Sequence, residues 1–87
     1  MRIDKWLKVS RLTKRREVAK ELCDEGDVFI NDKLAKASTE VVPGDTLKII
    51  MGRHTITAKV LLSKPYARKD EAKEMFEIIS DIVAERE

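Results

Sequence analysis

The sequence predicts an α+β fold: two short N-terminal helices packed on a small, mostly antiparallel, twisted sheet, with a further helix at the C-terminal end. Three observations carry that expectation. Apolar residues recur at helical spacing through residues 3–23, the pattern switches to alternation after Gly26, and helical spacing returns from Ala72 to Val83. Neither a pair of small helices nor a short sheet can bury its apolar side alone, so the two layers must cover each other.

In the first helix Ile3, Trp6, Leu7 and Ser10 share one side, Lys5 and Lys8 point elsewhere, and Asp4 stands four residues before Lys8. Trp6 therefore reads as core rather than as a platform for a base. Residues 10–13 join this helix to the next. Thr13 reads as the N-cap of the second helix, which places Lys14, Arg15 and Arg16 in its first turn. Val18, Ala19, Leu22 and Cys23 form its apolar stripe, with Arg16 and Lys20 along the edge, and Gly26 supplies the residue tolerant of positive φ that ends it.

Val28, Phe29 and Ile30 then form a short extended run, Asn31 and Asp32 a turn, and Lys33 to Lys36 an antiparallel return. Pro43, Gly44 and Asp45 give the next turn signal. Leu47, Ile49 and Met51 alternate with Thr46, Lys48 and Ile50, and beyond Gly52 and Arg53 the residues Ile56, Ala58, Val60 and Leu62 alternate with Thr55, Thr57 and Lys59, which predicts a hairpin. A connector containing Pro65 adds Lys64, Arg68 and Lys69. Asp70 is then positioned to cap a last helix whose stripe is Ala72, Met75, Phe76, Ile79, Ile82 and Val83. The expected division is residues 1–66 as the main domain and residues 67–87 as an acidic helical extension.

Charge is distributed unevenly. Arg2, Lys5, Lys8, Arg11, Lys14, Arg15, Arg16 and Lys20 face only Asp4 and Glu17 in the first twenty residues, a net of +6, whereas Lys73 and Arg86 face seven carboxylates from Asp70 onward, a net of −5. A basic front of that density calls for a polyanion, and RNA fits best. Three cations in a first helical turn oppose the macrodipole by about 0.3–1 kcal/mol each. A phosphate docked at the helix N-terminus reverses the sign. Arg16 is the principal candidate, a bidentate phosphate ligand flanked by Arg2, Arg15 and Lys20, with Asp4 orienting a neighbouring cation.

Composition narrows the alternatives. A chain of 87 residues holds one small core, so function belongs on a surface rather than in a large catalytic cleft. Single Cys23, on the apolar stripe of its helix, excludes an internal disulfide framework and reads as a buried small hydrophobe in a reducing compartment. Lone His54 offers no metal-ligand set, and none of the three glycines lies in a phosphate loop. No catalytic residue, metal, cofactor or small-molecule substrate is expected. No apolar run approaches the roughly 20 residues of a membrane span, and no signal-peptide core opens the chain, so a cytoplasmic location is expected.

The stretches RIDKWLKVSRL, REVAKELCDEGDVFIN and KASTEVVPGDTLKI, with Arg16, Ala19, Leu22, Gly26, Val28, Asn31, Pro43, Gly44 and Asp45 in order, resemble the RNA-binding domain named after small-subunit ribosomal protein S-four, the alpha-L RNA-binding motif. Arg15 departs from it, since many members carry a Ser there. Over its whole length the chain resembles the compact stand-alone branch of that family, the RqcP-like factors of ribosome-associated quality control, and more distantly heat-shock protein fifteen. That resemblance implies binding to a large ribosomal subunit blocked by peptidyl-tRNA. It further implies contact with rRNA and P-site tRNA, and cooperation with RqcH in adding C-terminal alanine tails, without an active site. The residues it maps onto are Arg2, Lys5, Lys8, Arg11, Arg15, Arg16 and Lys20. Other readings are a heat-shock-protein-fifteen-like rescue factor, the RNA-guiding module of an RNA-modifying enzyme, and a helix-turn-helix protein of duplex DNA.

Overall fold

A computed structural model describes residues 1–84. Eight elements follow in the order α1 (Ile3–Val9), α2 (Arg16–Asp24), β1 (Val28–Ile30), β2 (Lys33–Leu34), β3 (Thr46–Met51), β4 (His54–Val60), α3 (Lys69–Ala72) and β5 (Phe76–Val83). The five strands form one sheet in the order β2-β1-β3-β4-β5, antiparallel at every step.

Helix α1 supplies the centre of the core. Ile3, Trp6 and Leu7 are wholly buried, and from α2 Ala19 and Cys23 meet them together with Val28, Val41, Leu47, Ile49, Val60 and Met75. The Trp6 indole Nε1 donates to the Leu62 carbonyl at 2.8 Å, so its polar edge is satisfied, and its ring meets Phe76 edge-on at 6.3 Å. Val18 leaves the expected apolar stripe of α2, standing 40% exposed.

The turns follow the anticipated chemistry with one variation. Asn31 and Asp32 connect β1 to β2 with φ of 49° and 68°, the paired left-handed conformation of a tight hairpin, although no glycine is present. The Asn31 side chain compensates in part, donating through Nδ2 to Asp45 at 3.1 Å and accepting the Thr46 amide at 3.0 Å. That ties the first hairpin to the Pro43-Gly44-Asp45 turn.

The C-terminal segment corrects the sequence expectation. Only Lys69–Ala72 is helical, and Phe76–Val83 is a strand paired along β4 from Val60↔Phe76 to His54↔Val83. The sheet edge left open by β4 takes up a row of β-branched residues, Ile78, Ile79, Ile82 and Val83, which suit a pleated surface better than a helix. The last three residues of the expected extension lie outside the described residues.

Candidate nucleic-acid interface

Asp4 lies on α1 with only 4% of its side chain exposed, and two arginines close over it. Arg2 approaches from the residue preceding α1, with Nε 3.3 Å from Oδ1 and Nη2 3.4 Å from Oδ2. Arg16 approaches from the first position of α2, with Nη2 3.4 Å from Oδ1 and Nε 3.3 Å from Oδ2. The backbone amide of Lys5 donates to Oδ1 at 2.8 Å as well. One buried carboxylate therefore fixes two guanidinium groups that are 50% and 47% exposed. Their remaining N–H donors face solvent across a concavity of about 320 Å³ lined by Arg2, Asp4, Arg16, Glu17 and Lys20.

Such an arrangement suits a phosphate. A guanidinium presents donors in a planar fork matched to two oxygens, and holding the fork in place beforehand removes the ordering cost from the binding step. Two forks over one depression can grip one phosphate together or two in succession along a strand.

The cause of the arrangement differs from the one read in the sequence. Thr13 is not the cap of α2. It is buried, its amide donates to the Leu7 carbonyl at 3.1 Å and its hydroxyl to the Arg15 carbonyl at 3.2 Å, so it still belongs to the turn closing α1. Arg15 occupies the N-cap position with extended backbone, φ −135° and ψ 146°, and Lys14 precedes it. Of the three cations expected in the first turn only Arg16 is there, accompanied by Glu17. Arg16 is held by Asp4 across the helix pair rather than opposed by the dipole alone. Asp4 pairs with Arg2 and Arg16, not with Lys8 four residues on.

The other basic residues surround this pair. Lys8, Arg11, Lys14, Arg15 and Lys20 are exposed and Lys5 is half-buried. Among the described residues no carboxylate lies within ion-pair distance of any of these six. Arg11 is held at φ 65°, a left-handed conformation, at the turn where α1 ends. Glu17, lining the concavity, had no local signal to mark it, because its place there depends on how α2 crosses α1.

Cys23 is a buried core residue of α2. Burial pushes its thiol up to about 11, with Asp4 and Asp24 adding to the rise. Among the described residues no cluster of three or more His, Cys, Asp or Glu side chains could hold a metal ion, and no helix is long and apolar enough to cross a membrane.

Comparison with known proteins gives a consistent result. The S4 domain family matches residues 1–47. The chain is 47% identical over 81 residues to the RQC P-site tRNA stabilizing factor of Bacillus subtilis, covering 93% of this chain and 94% of that protein. It is likewise 47% identical over 81 residues to the factor of the same name from Streptococcus pneumoniae, covering 93% and 92%. The solved trimeric structure of Vibrio cholerae Heat Shock Protein 15 superposes with a TM-score of 0.86 at 27% identity, over 92% of this chain and 82% of that one.

Proposed function

Because the chain belongs to the S4 domain family, and within it to the RQC P-site tRNA stabilizing factors, we propose that it binds large ribosomal subunits obstructed by peptidyl-tRNA, touching rRNA and the P-site tRNA. On this reading it acts in the cytoplasm without catalysing a reaction, and it supports RqcH-dependent addition of alanine to the stalled chain by steadying the tRNA. The observation that carries the proposal is the pair Arg2 and Arg16, half-exposed and held over one buried carboxylate. Lys5, Lys8, Arg11, Lys14, Arg15 and Lys20 extend the contact along the backbone of structured RNA, which is recognised through shape and phosphates more than base edges.

About five phosphate contacts would give a slope of log affinity against log salt of roughly −3.5 to −4.5, at 0.7–0.9 per contact. Arg16→Ala removes one such contact and should lower the slope by about 0.7–0.9. The direct test is co-sedimentation of the chain with obstructed large subunits, together with alanine tailing in an RqcH-containing reaction. Loss of both with Arg16→Ala supports the role. Wild-type co-sedimentation by that variant contradicts it.

The fold shared with Heat Shock Protein 15 favours one second reading, a rescue factor on the same particle. Normal subunit binding with no effect on tailing when the wild-type chain is omitted would select it. A catalytic role is tested by incubating the chain with rRNA and looking for modified nucleosides, where new pseudouridine would overturn the non-enzymatic reading.

A further inference from the structure

Between β4 and β5 the chain makes an excursion over residues 63–74 whose two ends meet. The amides of Leu61 and Leu62 both donate to the Met75 carbonyl, at 2.8 and 3.1 Å. The neck is seated on α1, since the Trp6 indole donates to the Leu62 carbonyl and packs edge-on against Phe76 just beyond the other end. A surface loop closed at its neck and fastened to the core is a fixed platform rather than a free linker.

That loop carries Tyr66, 79% exposed, the most open of the large apolar side chains among the described residues. A single exposed apolar side chain is ordinary, but the surroundings of this one are not. Pro65 precedes it with its own φ fixed by the ring, and it restricts Lys64 on its other side. Lys64 and Arg68, two residues to either side, both lean on Glu71, at 3.7 Å (Nζ to Oε2) and 3.8 Å (Nε to Oε1). Exposed Lys69 follows, with no carboxylate in ion-pair distance among the described residues. An accessible ring bracketed by cations is the combination that receives an unpaired base on its face and the adjoining phosphates at its flanks.

We propose that Tyr66 is a stacking platform for an unpaired RNA base, with Lys64, Arg68 and Lys69 taking the neighbouring phosphates, a second RNA contact beside the arginine pair on α1 and α2. The inference rests on the reading that the chain binds RNA. A protein partner is the less favoured occupant, because one isolated ring offers it little apolar area to bury.

The test uses the full chain and two probes at one salt concentration: tRNA, which has unpaired loops and a single-stranded end, and a blunt, fully paired RNA of similar length. Tyr66→Ala should weaken tRNA binding about 5- to 150-fold. It should leave the salt slope and the duplex affinity unchanged, because no phosphate contact is lost. Tyr66→Phe, which keeps the ring, should bind as the wild type does. Equal weakening on both probes overturns the stacking assignment, and so does unchanged tRNA binding, the result expected if the ring serves a protein. In either case Arg16→Ala still reports on the arginine site. Wild-type protein that binds neither RNA overturns this inference together with the proposed function.

Discussion

Removing both arginines from Asp4 should destabilise the fold by more than the sum of removing each. With Arg2→Ala alone the carboxylate keeps Arg16 at 3.3 and 3.4 Å, and with Arg16→Ala alone it keeps Arg2 at the same distances. Each arginine is about half exposed, so each single substitution should cost about 0.5 kcal/mol. Alanine at the first position of α2 preserves helix propensity, and Arg2 makes no side-chain capping bond that its loss would remove. The double variant differs in kind. Among the described residues Asp4 is then left with the Lys5 amide as its sole partner while its side chain stays buried. An unpaired buried charge costs about 3–5 kcal/mol, which entry of water into the vacated space should reduce to about 2–3. The resulting coupling of about 1–2 kcal/mol is measurable by urea titration of the four proteins in a double-mutant cycle. For a domain of this size 1 kcal/mol shifts Tm by about 4–8 °C, so thermal melts should resolve it independently. Adding Asp4→Asn to the double variant removes the stranded charge and should recover part of the loss. Additivity within about 0.5 kcal/mol would refute the idea that one carboxylate holds both side chains.

Four further outcomes concern other parts of the chain. Arg11→Gly should stabilise the fold by about 0.5–1 kcal/mol in urea titration, since relief of a left-handed non-glycine residue exceeds the added entropy of the unfolded chain; destabilisation would show that the Arg11 side chain contributes packing its φ of 65° does not reveal. Asp32→Gly creates the Asn-Gly pair that the β1–β2 turn accommodates and should raise stability by about 0.5 kcal/mol, with a lower Tm counting against the turn geometry. Native protein at pH 8 should resist alkylation at Cys23 until urea exposes it, because the thiol is buried and pushed up to about 11. The folded value lies above the unfolded value of 9.0, so the stability linked to Cys23 is full below pH 9 and declines as pH rises toward 11. The stability difference between wild type and Cys23→Ala should narrow across that window, and a flat difference would contradict the burial.

Much of the fold was legible because its elements are local. The helical spacing of Ile3, Trp6 and Leu7, the glycine after α2, and the alternation from Thr46 through Val60 are properties of short windows, and each element formed where its window indicated. Strand β5 was misread for a specific reason. Its register shifts opposite Thr57 and Ala58, so Ala58 faces Ile78 while Thr57 faces Ser80, and Ile79 is the extra residue between them. Without that bulge Phe76 and Ile78 would continue a period of two. With it the face changes partway along, and the spacing of Met75, Ile79, Ile82 and Val83 imitates a helix, although Ile79, Ile82 and Val83 stand exposed on the strand instead of joining the core. The β-branched run at Ile78, Ile79, Ile82 and Val83 was the better signal.

The candidate site was legible in its residues and illegible in its cause. Density of positive charge marked Arg2, Arg16 and their neighbours, and density is countable along a chain. The pairing that organises them is not, because Asp4 and Arg16 are twelve residues apart and meet only after Thr13 has finished the turn closing α1 and Arg15 has turned the chain into α2. A local rule assigned Asp4 to Lys8 and the three consecutive cations to one helical turn; the packing of two helices around Trp6 and Leu7 overrode both. Burial of Asp4 then becomes intelligible, since a carboxylate withdrawn from water by the core needs cations, and the two that answer it keep half their surface for a ligand. The cost of burying one negative charge is offset by pairing it with two positive ones, so core packing and the proposed anion recognition draw on the same three side chains.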